Sequence, residues 1–91
     1  MKFYEFDRKH YPNYAVIYAN SEGTALNLYN KQYNYETYYV PRPLDIDELL
    51  DIILEAKKVP KLASYDQFQL NSYFNTLIKK CVGSKTSKIV L

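Results

Sequence analysis

Tryptophan is absent from this chain, cysteine and histidine each occur once, and glycine occurs twice. Each scarcity removes a class of chemistry. The single Cys81 excludes an internal disulfide and leaves no second thiol for a cysteine-rich zinc site, so a reducing compartment is expected. Gly23 and Gly83 lie far apart and in no motif, so no glycine loop for phosphate can be built. His10 sits in a polar stretch beside Arg8 and Lys9 with no nucleophile-and-orienter pattern around it, and a solvated histidine explains it better than a general base. Long apolar runs are missing as well: Tyr14–Ala19 and Ile52–Leu54 are far shorter than the ~20 residues of a membrane span. Met1-Lys2-Phe3-Tyr4-Glu5 has no apolar leader, and the expected location is the cytoplasm, away from membranes.

What remains is the composition of a small globular chain. With 47% apolar and 24% charged residues among 91, a hydrophobic core and a single α+β domain over residues 1–91 are expected. A net charge of +2 is too small to argue for nucleic acid or an anionic membrane. Its distribution is more informative. Residues 44–55 carry Asp45, Asp47, Glu48, Asp51 and Glu55 without a base, whereas residues 79–91 carry Lys79, Lys80, Lys85 and Lys88 without an acid.

Periodicity predicts a first strand at 1–6, a turn through Pro12-Asn13 and a clear second strand at Tyr14–Ala19. Asn20 or Ser21 caps a helix over about 21–32, and alternation at 33–40 predicts a third strand with Tyr33, Tyr35, Thr37 and Tyr39 on one face. Pro41-Arg42-Pro43 forces an extended break. Asp45 with Glu48 forms a capping box opening a helix to about Lys58 that buries Ile46, Leu49, Leu50 and Ile53. Ser64 with Gln67 reads as a second box, opening a helix whose stripe is Leu70, Tyr73, Phe74, Leu77, Ile78 and Cys81, closed at Gly83. Residues 88–91 either add a last strand or trail. The order ββαβαα, with an optional closing β, predicts a small two-layer α+β fold: three helices and an antiparallel sheet of three to four strands.

No constellation predicts catalysis, a metal or a cofactor. Asp45, Asp47, Glu48 and Asp51 lack the rhythm of a calcium loop and are explained by capping and a solvated face. Cys81 continues an apolar stripe and reads as a buried structural thiol. The chain is therefore expected to be no enzyme.

Tyrosine is the outlier, with eleven against four phenylalanines. Ten lysines to two arginines and seven asparagines match the usage of an AT-rich genome, which accounts for part of the excess. It does not account for position. On the second strand Tyr14, Val16 and Tyr18 share a face, and Ala15, Ile17 and Ala19 the other. If the small residues take the helices, Tyr14 and Tyr18 with Tyr35 and Tyr39 become a tyrosine platform for a protein partner. The bland reading, of equal weight, is cross-strand aromatic packing. The acidic helix face with Asp47 and Asp51 is the second candidate surface. A single-stranded nucleic-acid binder, with tyrosines stacking bases and lysines holding phosphates, is the alternative, and a homodimer through the same surface a third.

The hairpin, the segment Ala19-Asn20-Ser21-Glu22 leading into Ala25-Leu26-Asn27-Leu28-Tyr29, and the Lys/Asn/Tyr-rich usage resemble small uncharacterised phage and prophage proteins of low-GC bacteria. That resemblance covers about the first 40 residues. It implies no catalytic residues. It implies an accessory protein acting stoichiometrically on a host or phage factor, for instance as an inhibitor.

Overall fold

The structure is a computed structural model and describes residues 1–91 throughout. The fold is α+β, with an antiparallel four-stranded sheet and three helices. In chain order the elements are β1 (Lys2–Phe6), β2 (Ala15–Ala19), α1 (Glu22–Tyr33), β3 (Arg42–Leu44), α2 (Ile46–Glu55), a 3-10 turn at Pro60–Leu62, α3 (Gln67–Cys81) and β4 (Lys88–Ile89). The chain divides into two compact units, Met1–Leu44 with Lys85–Leu91, and Asp45–Ser84.

In the first unit the sheet runs β3-β1-β2-β4. β1 and β2 pair Phe3 with Tyr18, Tyr4 with Ile17, and Phe6 with Ala15. Because successive side chains alternate between faces, Tyr4, Phe6, Ala15, Ile17 and Ala19 share one side. The small residues on β2 let α1 approach, and Ala25 and Tyr29 of α1 complete a core there with Tyr11. The second face, with Phe3, Glu5, Val16 and Tyr18, is not an open platform, since Val16 is fully buried and Phe3 and Glu5 nearly so. Both sheet edges are short, β3 having three residues including Pro43 and β4 two, which leaves little ladder for a further strand. β4 settles the alternative left open for the tail: Ile89 lies opposite Ile17, and Val90 donates its N–H to the Val16 carbonyl at 2.8 Å.

The expected third strand at 33–40 does not form. Asn34 closes α1 in the left-handed region (φ 49°), donating its N–H to the Asn30 carbonyl, a conformation asparagine accepts more readily than a branched or bulky residue. The chain then runs without regular structure to Pro41, and pairing begins only at Arg42, which lies opposite Glu5 on β1. Arg42 and Pro43, read as part of a break, therefore belong to the edge strand. Proline is tolerated at a sheet edge because its missing N–H costs no interior ladder bond.

In the second unit α2 opens as expected. Asp45 accepts the Glu48 N–H at 2.7 Å, and the Glu48 carboxylate accepts the Asp45 N–H at 3.2 Å. Its buried face is Leu49, Ile52 and Ile53, and Ile46 is turned outward. The helix stops at Glu55, short of Lys58, because Ala56 adopts the left-handed conformation (φ 56°) and donates to the Ile52 and Ile53 carbonyls. The second capping box lies two residues later than expected. Asp66 accepts from Gln69 N–H at 2.8 Å, and Gln69 accepts from Asp66 N–H at 2.9 Å. Ser64 and Gln67 satisfy the same pattern, but the Tyr65 N–H bonds back to Leu62, keeping 62–65 in a turn, and a carboxylate is the stronger acceptor at a helix N-terminus. Leu70, Leu77 and Cys81 of α3 are buried, and α2 and α3 pack together. The helix ends at Cys81, before the expected glycine: Val82 turns to extended backbone and donates its N–H to the Ile78 carbonyl, and Gly83 follows at φ +79°.

Two stability predictions follow from particular torsions and bonds. An L-residue in the left-handed region costs about 1–2 kcal/mol, and glycine gives back about 0.5–1 kcal/mol of that as chain entropy. Ala56→Gly is therefore expected to raise stability by up to ~1 kcal/mol, seen as a higher urea midpoint at constant slope. Tyr29→Phe should lower it by about 1–3 kcal/mol, because it removes the bonds that Tyr29 makes to both the N–H and the carbonyl of Asn13.

Candidate functional site

Tyr29 stacks on Phe6 with ring centroids 4.4 Å apart and planes 7° apart, and meets Tyr11 edge-on at 5.2 Å. Such pairs add about 0.5–1.5 kcal/mol each beyond the area they bury. The consequence for function lies at the far side of Tyr11. Its hydroxyl donates to the Tyr39 carbonyl, and so ties the 34–41 segment to the core.

Further bonds hold that segment in place of a strand ladder. Asn30 on α1 donates its side-chain N–H to the Thr37 carbonyl at 3.2 Å, while its side-chain oxygen accepts the Thr37 N–H at 3.3 Å. Thr37 Oγ1 accepts the Tyr39 N–H at 3.2 Å. His10 stacks on the Tyr39 ring at 4.2 Å, and its Nδ1 lies 3.1 Å from Asp7 Oδ1. The Asp7 carboxyl feels an upward push from partial burial, but hydrogen bonds from His10 and Lys9 outweigh it and set its pKa below the ordinary 3.8. The segment is thus fixed by side chains while its own side chains point outward. Tyr35 is 42%, Tyr38 87%, Tyr39 53% and Val40 56% exposed.

The tyrosines singled out in the sequence therefore divide. Tyr35 and Tyr39 are exposed, but in this loop and not on the sheet. Tyr14 and Tyr18 are half-buried on the second sheet face, where Tyr18 packs on its cross-strand partner Phe3 at 4.9 Å. For that pair the bland reading, cross-strand packing, describes the contact. No four-tyrosine platform exists, because the strand needed to align Tyr35 and Tyr39 with the other two is absent. Asp47 and Asp51 belong to the second unit and lie about one turn apart on the exposed side of α2. Strand alternation would put Tyr38 and Val40 on the opposite face from Tyr35 and Tyr39, whereas the loop exposes all four, and the clamping roles of Tyr11 and Asn30 leave no local trace beyond the spacing of Asn30 and Thr37.

Glu5 is the one buried charged residue, and it is fully engaged. Arg42, its partner across β1 and β3, donates to Oε1 from Nη2 at 3.1 Å and from Nε at 3.3 Å, and the Tyr14 hydroxyl donates to Oε2 at 2.7 Å. Burial first, and then the bond to the Glu5 carboxylate, hold the Tyr14 proton well above the ordinary tyrosine range. Both oxygens of this buried carboxylate are thus occupied by hydrogen-bond donors. No group of three or more histidine, cysteine or acidic side chains converges as a metal site would, and no helix is long and apolar enough to cross a membrane.

No family model matches the chain, and neither a curated protein nor a solved structure shows significant similarity to it.

The clamp has a pH signature. Burial, and then the charges of Asp7, Tyr39 and Tyr29, push Tyr11 up to about 12 from the ordinary 10.0. In the unfolded chain the phenol ionises near the ordinary value, so the unfolded state loses its proton first. The stability linked to Tyr11 is thus complete below pH 10 and is lost as pH rises from 10 through 12. Denaturant titrations across that range should show stability falling in the wild type. The fall should be shallower in Tyr11→Phe, which lacks this contribution.

Proposed function

We propose that this protein is a non-enzymatic binding module that holds a protein partner through the 34–41 loop. The observation that carries the reading is the clamped display of Tyr35, Tyr38, Tyr39 and Val40: exposed aromatic and apolar side chains on an irregular segment fixed by Asn30, Thr37 and Tyr11. Irregular segments carry recognition when a scaffold holds them, and tyrosine supplies contact area with few rotors and a hydroxyl for polar pairing. A loop that is already ordered loses less entropy on binding than a mobile one. Exposed tyrosine alone would say little. The fixed backbone beneath it is what distinguishes a presenting loop from a solvated one.

The resemblance to phage proteins adds a role to this reading: a stoichiometric accessory or inhibitor acting on a host or phage factor in the cytoplasm. The acidic face of α2 with Asp47 and Asp51 is a second surface available to the same kind of partner.

Tagged protein should capture a stoichiometric partner from lysate of its own cell, and nuclease should not release it. Tyr38→Ala combined with Val40→Ser should lose that partner while changing folding stability by no more than about 0.5 kcal/mol, as substitutions on an exposed surface do. Retention of the partner by the double variant would remove the loop from the interface, and recovery of nucleic acid alone would remove the protein-binding reading.

A further inference from the structure

The second unit carries a surface of different character. Between Gln67 and Ser84 there is no aspartate or glutamate, while Lys79 and Lys80 both fall in that stretch. The helix spacing of α3 puts Phe68, Ser72, Thr76 and Lys80 on one ridge at i, i+4, i+8 and i+12, and Gln69 and Tyr73 on an adjacent ridge, with Tyr65 of the preceding turn edge-on to Tyr73. Between these ridges lies an open groove of about 530 Å³, lined by those residues. No carboxylate lines it. The one acidic side chain near its start, Asp66, is held by its capping bond to Gln69.

Two of the three rings, Phe68 and Tyr65, are exposed, and Tyr73 is half-buried beside Tyr65. Phe68 is 79% exposed, Tyr65 and Tyr73 lie 6.2 Å apart at 63°, and Lys61 Nζ is 5.5 Å from the centre of the Tyr73 ring. Lys80 lines the groove at the far end of the ridge, and Lys61 adds a second positive charge over the Tyr73 ring. The ridge from Phe68 to Lys80 is about 18 Å long at the rise of an α-helix.

We propose that this groove binds single-stranded nucleic acid, with unpaired bases against Phe68, Tyr65 and Tyr73 and phosphates against Lys61 and Lys80. Each competing occupant fits less of what is there. A membrane surface would need a continuous apolar strip, and the ridge is interrupted by Ser72 and Thr76. A peptide of aspartate and glutamate would use the lysines but has no aromatic rings to stack on the exposed ones. A base paired in a duplex has its faces covered, whereas an unpaired base offers a face to every ring it meets. Gln69, Ser72 and Thr76 supply hydrogen-bonding groups without the paired pattern that reading a specific sequence demands, so the binding should tolerate many sequences. The inference stands on the second unit alone and is independent of the 34–41 loop.

The test is fluorescence anisotropy of full-length protein with labelled oligothymidine and oligouridine of about 15 nucleotides. Saturable binding is expected. Its dependence on salt between about 50 and 200 mM should have a log–log slope near −1.4, for about two phosphates at ~0.7 each. Phe68→Ala, at a position too exposed to affect folding, should weaken binding about tenfold, within the range for losing one stacked base. Lys61→Gln should make the slope shallower by about 0.7. The loop variant Tyr38→Ala should bind like wild type, so that failure here and failure of the loop's role remain separate results. Absence of saturation at low salt would overturn the proposal. So would equal affinity for a duplex of the same length or for polyglutamate, or a Phe68→Ala protein indistinguishable from wild type.

Discussion

The first unit depends on one side chain, Tyr29. Its ring fills the space between α1 and the sheet, stacked on Phe6, and its hydroxyl closes both polar groups of the Asn13 backbone. Full burial of a side chain this size stabilises by about 1.5–3 kcal/mol, but the hydroxyl would cost about as much if left unpaired. The pairing with Asn13 resolves that conflict, and in doing so it fixes the long turn between β1 and β2. Tyr11, carried by that turn, then meets both Phe6 and Tyr29 and reaches out to the Tyr39 carbonyl. A core contact is in this way transmitted through two hydroxyls to a loop at the surface.

The same logic governs the other face of the sheet. Glu5 sits in the middle of β1, where burial disfavours a carboxylate strongly unless every lone pair is met. Arg42 can meet it only from the neighbouring strand, and the register that places Arg42 opposite Glu5 is the register β3 adopts. The edge strand is only three residues long and carries a proline, so ladder bonds alone would hold it weakly. The charge pair gives one alignment an advantage that the backbone does not.

The elements with a strong period or a chemical end signal are legible in the amino-acid sequence. The run Tyr14–Ala19 reads directly as a strand, the Asp45–Glu48 box marks the start of α2, and the Leu70–Leu77–Cys81 stripe marks α3. The failures have physical causes. Alternating tyrosines at 33–40 look like a strand because β propensity records how a residue fits a half-buried pleat, and nothing local reveals that no pleat is there to receive them. The deciding signal is Asn34, a residue able to end a helix in the left-handed region, followed by a threonine seven residues after Asn30 that Asn30 can clamp. Two overlapping capping boxes, Ser64 with Gln67 and Asp66 with Gln69, cannot be separated by pattern, only by which acceptor is stronger and by the turn at Leu62. The site was half legible for the same reason: Tyr35 and Tyr39 are displayed, but on a loop whose bonds depend on contacts distant in sequence.

Codon usage accounts for some of the eleven tyrosines but not for how they are distributed. Tyr4, Tyr11 and Tyr29 are buried, Tyr14, Tyr18, Tyr33 and Tyr73 are half-buried, and Tyr35, Tyr38, Tyr39 and Tyr65 are exposed. A chain this short has little aliphatic volume to bury, and tyrosine supplies bulk at the expense of a hydroxyl that must find a partner. Phenylalanine would fill the same space without that demand. For Tyr29 and Tyr11 the partners are backbone groups of irregular segments, Asn13 and Tyr39, that no helix or strand would otherwise satisfy. The polar end of a core residue thus becomes the restraint on a loop, and that coupling ties the display of Tyr38 and Val40 to the stability of the first unit's core.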